Sequence, residues 1–208
     1  MNRKLLIPAV VVCCVAWLGT AFAQAPSIEP PPSRSAQTGA VLALLQAPHP
    51  KVEARHLQRI GPDVNTILVE FATSTTAEPP VRLRAMAWLQ HFPTPQTRAV
   101  LLDILRARDA RVTEKRICLR ALSAAFGVEV LPVVREHLES RNPLVREAAA
   151  LALGDIDDLR VREILMDHVD REKDATVRDA VMASLQRIED REAARARPSP
   201  AAPTNRGR

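Results

Sequence analysis

One recurring phrase constrains the fold of this chain more than any other feature. Its clearest copy is VREAAALALGDI, which starts at Val145, and further copies start at Val177 (VRDAVMASLQRI) and Val81 (VRLRAMAWLQHF). Looser copies start at Val112 and Val52, so that successive copies lie 29, 31, 33 and 32 residues apart. A fixed period of roughly 20–50 residues is typical of proteins built from stacked repeats.

Each copy of the phrase predicts an amphipathic helix, because its apolar residues recur at helical spacing. Another apolar segment precedes every copy, and these segments start at Val41, Val64, Leu101, Val130 and Val161. The repeating unit is therefore predicted to be helix, short turn, helix. One helix pair cannot bury both of its apolar stripes, whereas stacked pairs can. The absence of Tyr and the scarcity of Gly also disfavour a β-sheet protein of many hairpins.

The Val-Arg opening, the Ala-rich second helix that ends in Leu-Gly, and the Asp or Asn before it resemble HEAT repeats in their short bacterial form. The resemblance covers roughly residues 38–189 as five units. It implies an all-α fold, a HEAT-like α-solenoid of about five antiparallel helix pairs. The first and third units depart from the pattern, since Glu53 and Thr113 stand where the other units have arginine.

The resemblance also assigns structural roles to the repeated arginines. It implies that the Val-led helices line the concave side of the solenoid, and that Arg82, Arg146 and Arg178 brace the turns between neighbouring units. Asp174 stands four residues before Arg178, a spacing at which opposite charges stabilise a helix. Asp109, Asn142 and Asp174, each three residues before a Val, are predicted to begin the helices that follow them.

The two ends of the chain differ from the repeats. Residues 1–23 are typical of a secretory signal peptide, with a basic start, an apolar run and the A-x-A pattern Ala21-Phe22-Ala23. The alternative is an uncleaved membrane anchor in residues 5–23. Residues 24–37 are predicted to form a Pro-rich disordered linker, and residues 190–208 a disordered tail rich in Arg, Ala and Pro.

No catalytic motif stands out, and no cofactor or metal site is predicted. His137 and His168 recur after an acidic residue in consecutive units, but repetition of the unit explains them without a ligand. Cys118 is the single cysteine outside the leader and is expected to be a buried apolar residue rather than a reactive thiol. Trp88 is expected in the core, with an interface anchor as the alternative.

Basic residues dominate the polar positions of the first three Val-led helices. If those helices face the concave side, that end of the groove is positive and would attract an acidic partner. The alternative is a solvated basic face without a partner. The predicted partner-binding residues are Arg55, Arg59, Arg84, Lys115, Arg116 and Arg120.

These observations predict an exported, non-enzymatic scaffold, periplasmic or secreted, that binds a protein partner. The net charge of +5, which falls to +3 without Arg3 and Lys4, is too small to indicate nucleic-acid binding. Membrane association is expected only if the leader is uncleaved. Two alternatives stay open, an enzyme accessory similar to HEAT-like chromophore lyases and a membrane-anchored structural protein of the envelope. The partner's identity and the oligomeric state do not follow from the sequence.

Export predicts a mature chain that begins at Gln24. Intact-mass and N-terminal peptide analysis of the protein from a bacterial envelope fraction checks this. A variant with Glu at both Ala21 and Ala23 is the control, because charged residues at the cleavage pattern should block processing. A wild-type chain that keeps residues 1–23 in the membrane fraction would instead favour the anchor.

Overall fold

A computed structural model describes residues 32–48 and 52–196, and within these residues the protein is all-α with no strand. Ten α-helices are joined by short connections, some of which contain a turn of 3-10 helix. The helices are α1 Arg34–Gln46, α2 Ala54–Ile60, α3 Val64–Thr73, α4 Pro79–Trp88, α5 Pro95–Arg106, α6 Val112–Phe126, α7 Leu131–Glu136, α8 Pro143–Asp155, α9 Arg160–Val169 and α10 Ala175–Ala196.

The ten described helices form five consecutive pairs. The second helix of each pair corresponds to one copy of the repeated phrase that starts with valine, and we call it the Val-led helix. The Val-led helices α4, α6, α8 and α10 pack side by side in one row, and each also packs against its own preceding helix. The preceding helices pack closely only at α1–α3 and α3–α5. The fold is thus an all-α, HEAT-like solenoid, as predicted, with the Val-led helices side by side in one row.

The first pair departs from this arrangement. Helix α2 has 7 residues and packs on α1 and α3, while α1 packs against α4. The sequence signal was also weakest here, because Glu53 replaces the repeated arginine.

The helix starts agree with the sequence at two positions and differ at a third. Asn142 accepts a hydrogen bond from the Leu144 N–H at 2.9 Å, and Asp174 accepts one from the Val177 N–H at 3.2 Å. Asp174 thus begins α10, and its carboxylate forms no ion pair with Arg178, contrary to expectation. Asp109 does not begin α6. There the Glu114 carboxylate accepts the Arg111 N–H at 2.8 Å, so an acid inside the helix satisfies the free backbone donor.

The borders of the repeat region differ from the predicted ones. Helix α1 begins at Arg34, inside the expected 24–37 linker, and α10 continues to Ala196, seven residues beyond the border expected at residue 189. The predicted signal peptide, residues 24–31 of that linker and the tail from residue 197 lie outside the described residues.

The core is a continuous aliphatic cluster that runs through the pairs. Trp88 is buried between helices, as predicted, and Cys118 has no exposed surface. Burial raises the pKa of the Cys118 thiol to about 12, and the charge of Glu114 adds to this effect. The thiol is therefore protonated and inaccessible, as expected of a packing residue.

The stretch Val112–Glu139 is long and apolar enough to cross a membrane, and it is the one such stretch among the described residues. The chain turns within it at Gly127, whose φ of 51° is left-handed, and α6 ends there before α7 begins. Its apolar side chains, such as Leu119 and Val134, belong to the core of the stack. Length and composition alone therefore do not identify a membrane span here.

Close contact between α8 and α10 depends on a missing side chain. A Cβ atom at Gly154 would lie 2.6 Å from both Cβ and Oγ of Ser184, and 2.7 Å from Nη2 of Arg187. No substituent fits at those distances without moving one helix. Glycine inside a helix costs about 0.5–1 kcal/mol relative to alanine, and here the close packing of two units offsets that cost.

Replacing Gly154 with alanine should therefore lower stability by about 1–3 kcal/mol, because the added methyl group overpacks the α8–α10 contact. Thermal or urea unfolding measures this. Gly39→Ala is the matched control, since Gly39 also lies within a helix and a Cβ there meets nothing within 4 Å. The control should gain about 0.5–1 kcal/mol. Equal gains in both variants would show that the α8–α10 contact has room to spare.

Candidate partner-binding groove

Ion pairs across the joints between units hold the Val-led row in register. Arg146 of α8 donates from Nε and Nη2 to both carboxylate oxygens of Glu172, at 2.8 and 2.9 Å, and also from Nη1 to the Ser140 carbonyl at 2.9 Å. Glu172 precedes α10, so this arginine ties two units together. Arg82 of α4 also joins two units, since its Nη2 donates to one carboxylate oxygen of Glu114 in α6.

The third repeated arginine behaves differently from the other two. Arg178 is exposed, and its one contact is a long 3.4 Å hydrogen bond to the Glu172 carbonyl. The bracing role implied by the resemblance therefore has strong contacts at Arg82 and Arg146 and a weak one at Arg178.

Other arginines satisfy the free carbonyls at helix ends. Arg84 of α4 donates to the carbonyls of Leu45 and Ala47 at the end of α1. Arg191 of α10 donates to the Gly154 carbonyl at 2.6 Å, at the end of α8. The last carbonyls of a helix lack partners within it, so these contacts join each helix end to a neighbouring unit.

One groove lies along the Val-led row, across α6, α8 and α10, with a volume of about 350 Å³. Its floor is apolar and its sides carry arginines. A notch of about 470 Å³ is larger, but it lies at the joint between the second and third units and is lined by turn residues around the Arg82–Glu114 pair. The groove residues are Thr113, Arg116, Ile117, Arg120, Ala148, Leu151, Ala152, Asp155 and Arg187.

The charges of the groove are weakly paired. Arg116 approaches Glu147 at 3.4 Å, and Arg187 Nε lies 3.9 Å from Asp155, beyond hydrogen-bonding distance. Arg187 Nη2 donates instead to the Leu151 carbonyl at 3.1 Å and to Ser184 Oγ at 2.9 Å, which leaves its charge without a close acidic partner. The Arg120 side chain is exposed and has no hydrogen bond or ion pair to any described residue. Partly exposed pairs at such distances contribute little, so these arginines can bind an incoming carboxylate at small cost.

The structure brings two of the six predicted partner-binding residues, Arg116 and Arg120, into this groove. Lys115 is half-buried on α6 and does not line it. Arg84 is engaged with the end of α1. The two remaining residues, Arg55 and Arg59, are exposed on α2, outside the row, and Arg55 forms an ion pair with Glu53 at 2.7 Å.

The sequence analysis did not predict two charged groove residues, Arg187 and Asp155. It expected the positive end of the groove on the first three Val-led helices. Arg187 stands ten residues after Val177, and Asp155 ten residues after Val145, so they hold the same position in successive units. Equivalent positions become neighbours in a stack of repeats. The opposite charges of Arg187 and Asp155 at matching repeat positions could therefore have indicated from the sequence that the two side chains lie close together.

The histidines fall into ordinary structural contacts. His137 Nδ1 lies 2.9 Å from the Val133 carbonyl one turn earlier, and His168 Nε2 lies 3.1 Å from a Glu172 oxygen. The described residues contain no group of three His, Cys, Asp or Glu side chains able to hold a metal ion. The residues of the groove itself offer charge and apolar surface, which suit binding rather than bond-breaking chemistry.

The fold and the groove define the class of this protein as an all-α repeat scaffold with a charged groove along one row of helices. Residues 107–186, which include α6 to α9 and the first half of α10, match the family model for HEAT repeats. No curated protein matches the chain. The match supports a HEAT-repeat protein, as the sequence predicted, and such repeats are typically non-catalytic scaffolds that mediate protein–protein interactions.

The Arg146–Glu172 ion pair, which joins α8 to the segment before α10, should make the stability of the fold depend on pH. Hydrogen bonds from Arg146, and those from the Asp174 and Lys173 N–H groups, lower the pKa of Glu172 from 4.5 to about 2 against the opposing effect of burial. A lowered pKa in the folded state gives stability that is full above about pH 4.5 and is lost as the pH falls toward 2.

Glu172→Gln should therefore cost about 2–4 kcal/mol at pH 7, because it leaves the Arg146 charge without its partner. The difference from wild type should shrink as the pH falls from 4.5 to 2. Urea unfolding at pH 7 and at pH 3 measures both values. Asp167→Asn, which breaks the exposed pair with Arg171, is the control and should change little at either pH. A Glu172→Gln penalty independent of pH would contradict the assignment.

Proposed function

We propose that this protein is an exported HEAT-repeat scaffold that binds a protein partner through the groove across α6, α8 and α10, and that the partner presents an acidic segment. The observation that supports this most is the groove itself. Three arginines, Arg116, Arg120 and Arg187, surround an apolar floor. Arg116 and Arg187 lie 3.4 and 3.9 Å from their acidic neighbours, and Arg120 forms no ion pair with a described residue.

The solenoid contributes to binding by rigidity. The groove residues stand on three helices fixed by the Arg146–Glu172 joint and by the close α8–α10 contact at Gly154. Side chains held in place before binding lose little entropy when the partner arrives, so more of the contact energy appears as affinity. Arginine suits the role because its planar head binds a carboxylate through two hydrogen bonds.

Export is the second part of the proposal, and it rests on the basic start, apolar run and A-x-A pattern of residues 1–23. A periplasmic or secreted scaffold meets envelope or extracellular proteins rather than nucleic acid. Its partner should therefore be sought among exported proteins.

Charge reversal in the groove should weaken partner capture. The double variant Arg116→Glu, Arg120→Glu should reduce capture of the partner from an envelope extract by about tenfold or more, which corresponds to at least about 1.4 kcal/mol of binding free energy. Quantitative mass spectrometry of proteins captured on the immobilised mature chain measures this. Added salt should weaken the same capture, since it screens the charges.

Arg55→Glu, Arg59→Glu is the matched control. It makes the same change of net charge on exposed α2 positions that lie outside the groove. Circular dichroism and thermal unfolding establish that both variants fold. Equal loss of capture in both would indicate general electrostatic attraction, and unchanged capture in the groove variant would refute the site. Capture of bound pigment, or turnover of a substrate, would favour the enzyme-accessory alternative.

A further inference from the structure

The floor of the groove is formed by one helix and its sides by two others. Ala148, Leu151 and Ala152 of α8 supply the floor, while Arg116 and Arg120 of α6 line one side and Arg187 of α10 the other. Packed helices lie about 8–10 Å apart, so α6 and α10 are separated by about 16–20 Å across α8. A helix with its side chains is about 10–12 Å wide. Because two of the three floor side chains are alanines, the groove forms a shallow trough over α8 in which an incoming helix can lie against it.

The helices around the trough offer no free edge of backbone groups to an extended segment. An extended peptide needs external partners for its N–H and C=O groups. The helices α6, α8 and α10 use their backbone groups internally, and arginines cover the carbonyls at the end of α8. The polar side chains that line the groove, such as Thr113 and Asp155, are too few to satisfy every N–H and C=O of an extended segment. A helix brings its own backbone hydrogen bonds and needs none from the groove.

The charges fit the same occupant. Arg116 and Arg120 stand four residues apart on α6, about one helical turn, and both face the trough. Acidic residues four apart along one edge of a partner helix match that spacing. An acid on its opposite edge would meet Arg187, which Asp155 approaches only to 3.9 Å. Apolar residues between these edges would lie over Leu151 and Ile117.

We infer that the partner enters the groove as an amphipathic α-helix, with an apolar stripe over α8 and acidic residues along both edges. This rests on the proposed function and specifies its ligand. Binding an acidic helix in this way follows the general helix-in-groove mode, in which residues at i, i+3, i+4 and i+7 anchor the ligand.

A displayed peptide library tests this with the full mature chain as the target. One half of the library holds peptides of about 18 residues, or five turns, made from Ala, Leu, Glu and Lys in varied order. The other half has the same composition except that two interior alanines are replaced by prolines, which prevent a continuous helix. Selected peptides are then measured individually by fluorescence anisotropy against wild type, Arg120→Glu and, as control, Arg59→Glu.

Binders should come from the uninterrupted half and carry an apolar stripe with Glu on both edges. Their affinity should fall about tenfold against Arg120→Glu and stay unchanged against Arg59→Glu. A peptide in which the matching Glu is replaced by Arg should regain affinity for Arg120→Glu.

Selection from the proline half, helical binders indifferent to Arg120→Glu, or no selected binder at all would each overturn the helical ligand. The broader proposal would still stand if envelope capture depends on Arg116 and Arg120. It would fall separately if that capture survives their reversal.

Discussion

The structure depends on one constraint, which is that no helix pair here can bury its own apolar surface. Each pair must pack on the next, so the joints between pairs carry the stability of the whole. Two kinds of contact make those joints specific. Buried ion pairs such as Arg146–Glu172 fix the register, and the missing side chain of Gly154 lets α8 and α10 come close. Buried pairs contribute less to net stability than to choosing one arrangement among several, a role we assign to them here.

Arginine serves two purposes in this protein, and burial separates them. Those at the joints, such as Arg82 and Arg146, are largely buried and hold strong acidic partners. Those in the groove, such as Arg116 and Arg187, keep two-fifths of their side chains exposed and lie farther from their acidic neighbours. The same residue type therefore locks units together in one place and remains available to a ligand in another.

The fold was predictable because the apolar residues recur with the period of the repeat, as the spacing between Val145 and Val177 shows. The site was only partly predictable, because a helical pattern shows which residues leave the core and not what they meet. Arg84 was expected to face a partner but donates to Leu45 and Ala47, which lie nearly forty residues away. Arg187 was missed. Such contacts depend on the rotation between successive units, which the period does not encode.

The two ends of the stack are held unequally. Helix α2 is short and packs on α1 and α3, whereas α10 spans 22 residues and ties the end of α8 through Arg191. A linear array of repeats opens from whichever end is held least. Fraying should accordingly progress from α2 inward, while the portion that contains the groove stays intact longest. Local stability should therefore differ between the two ends of the described stack, being lower near α2 and higher near α10.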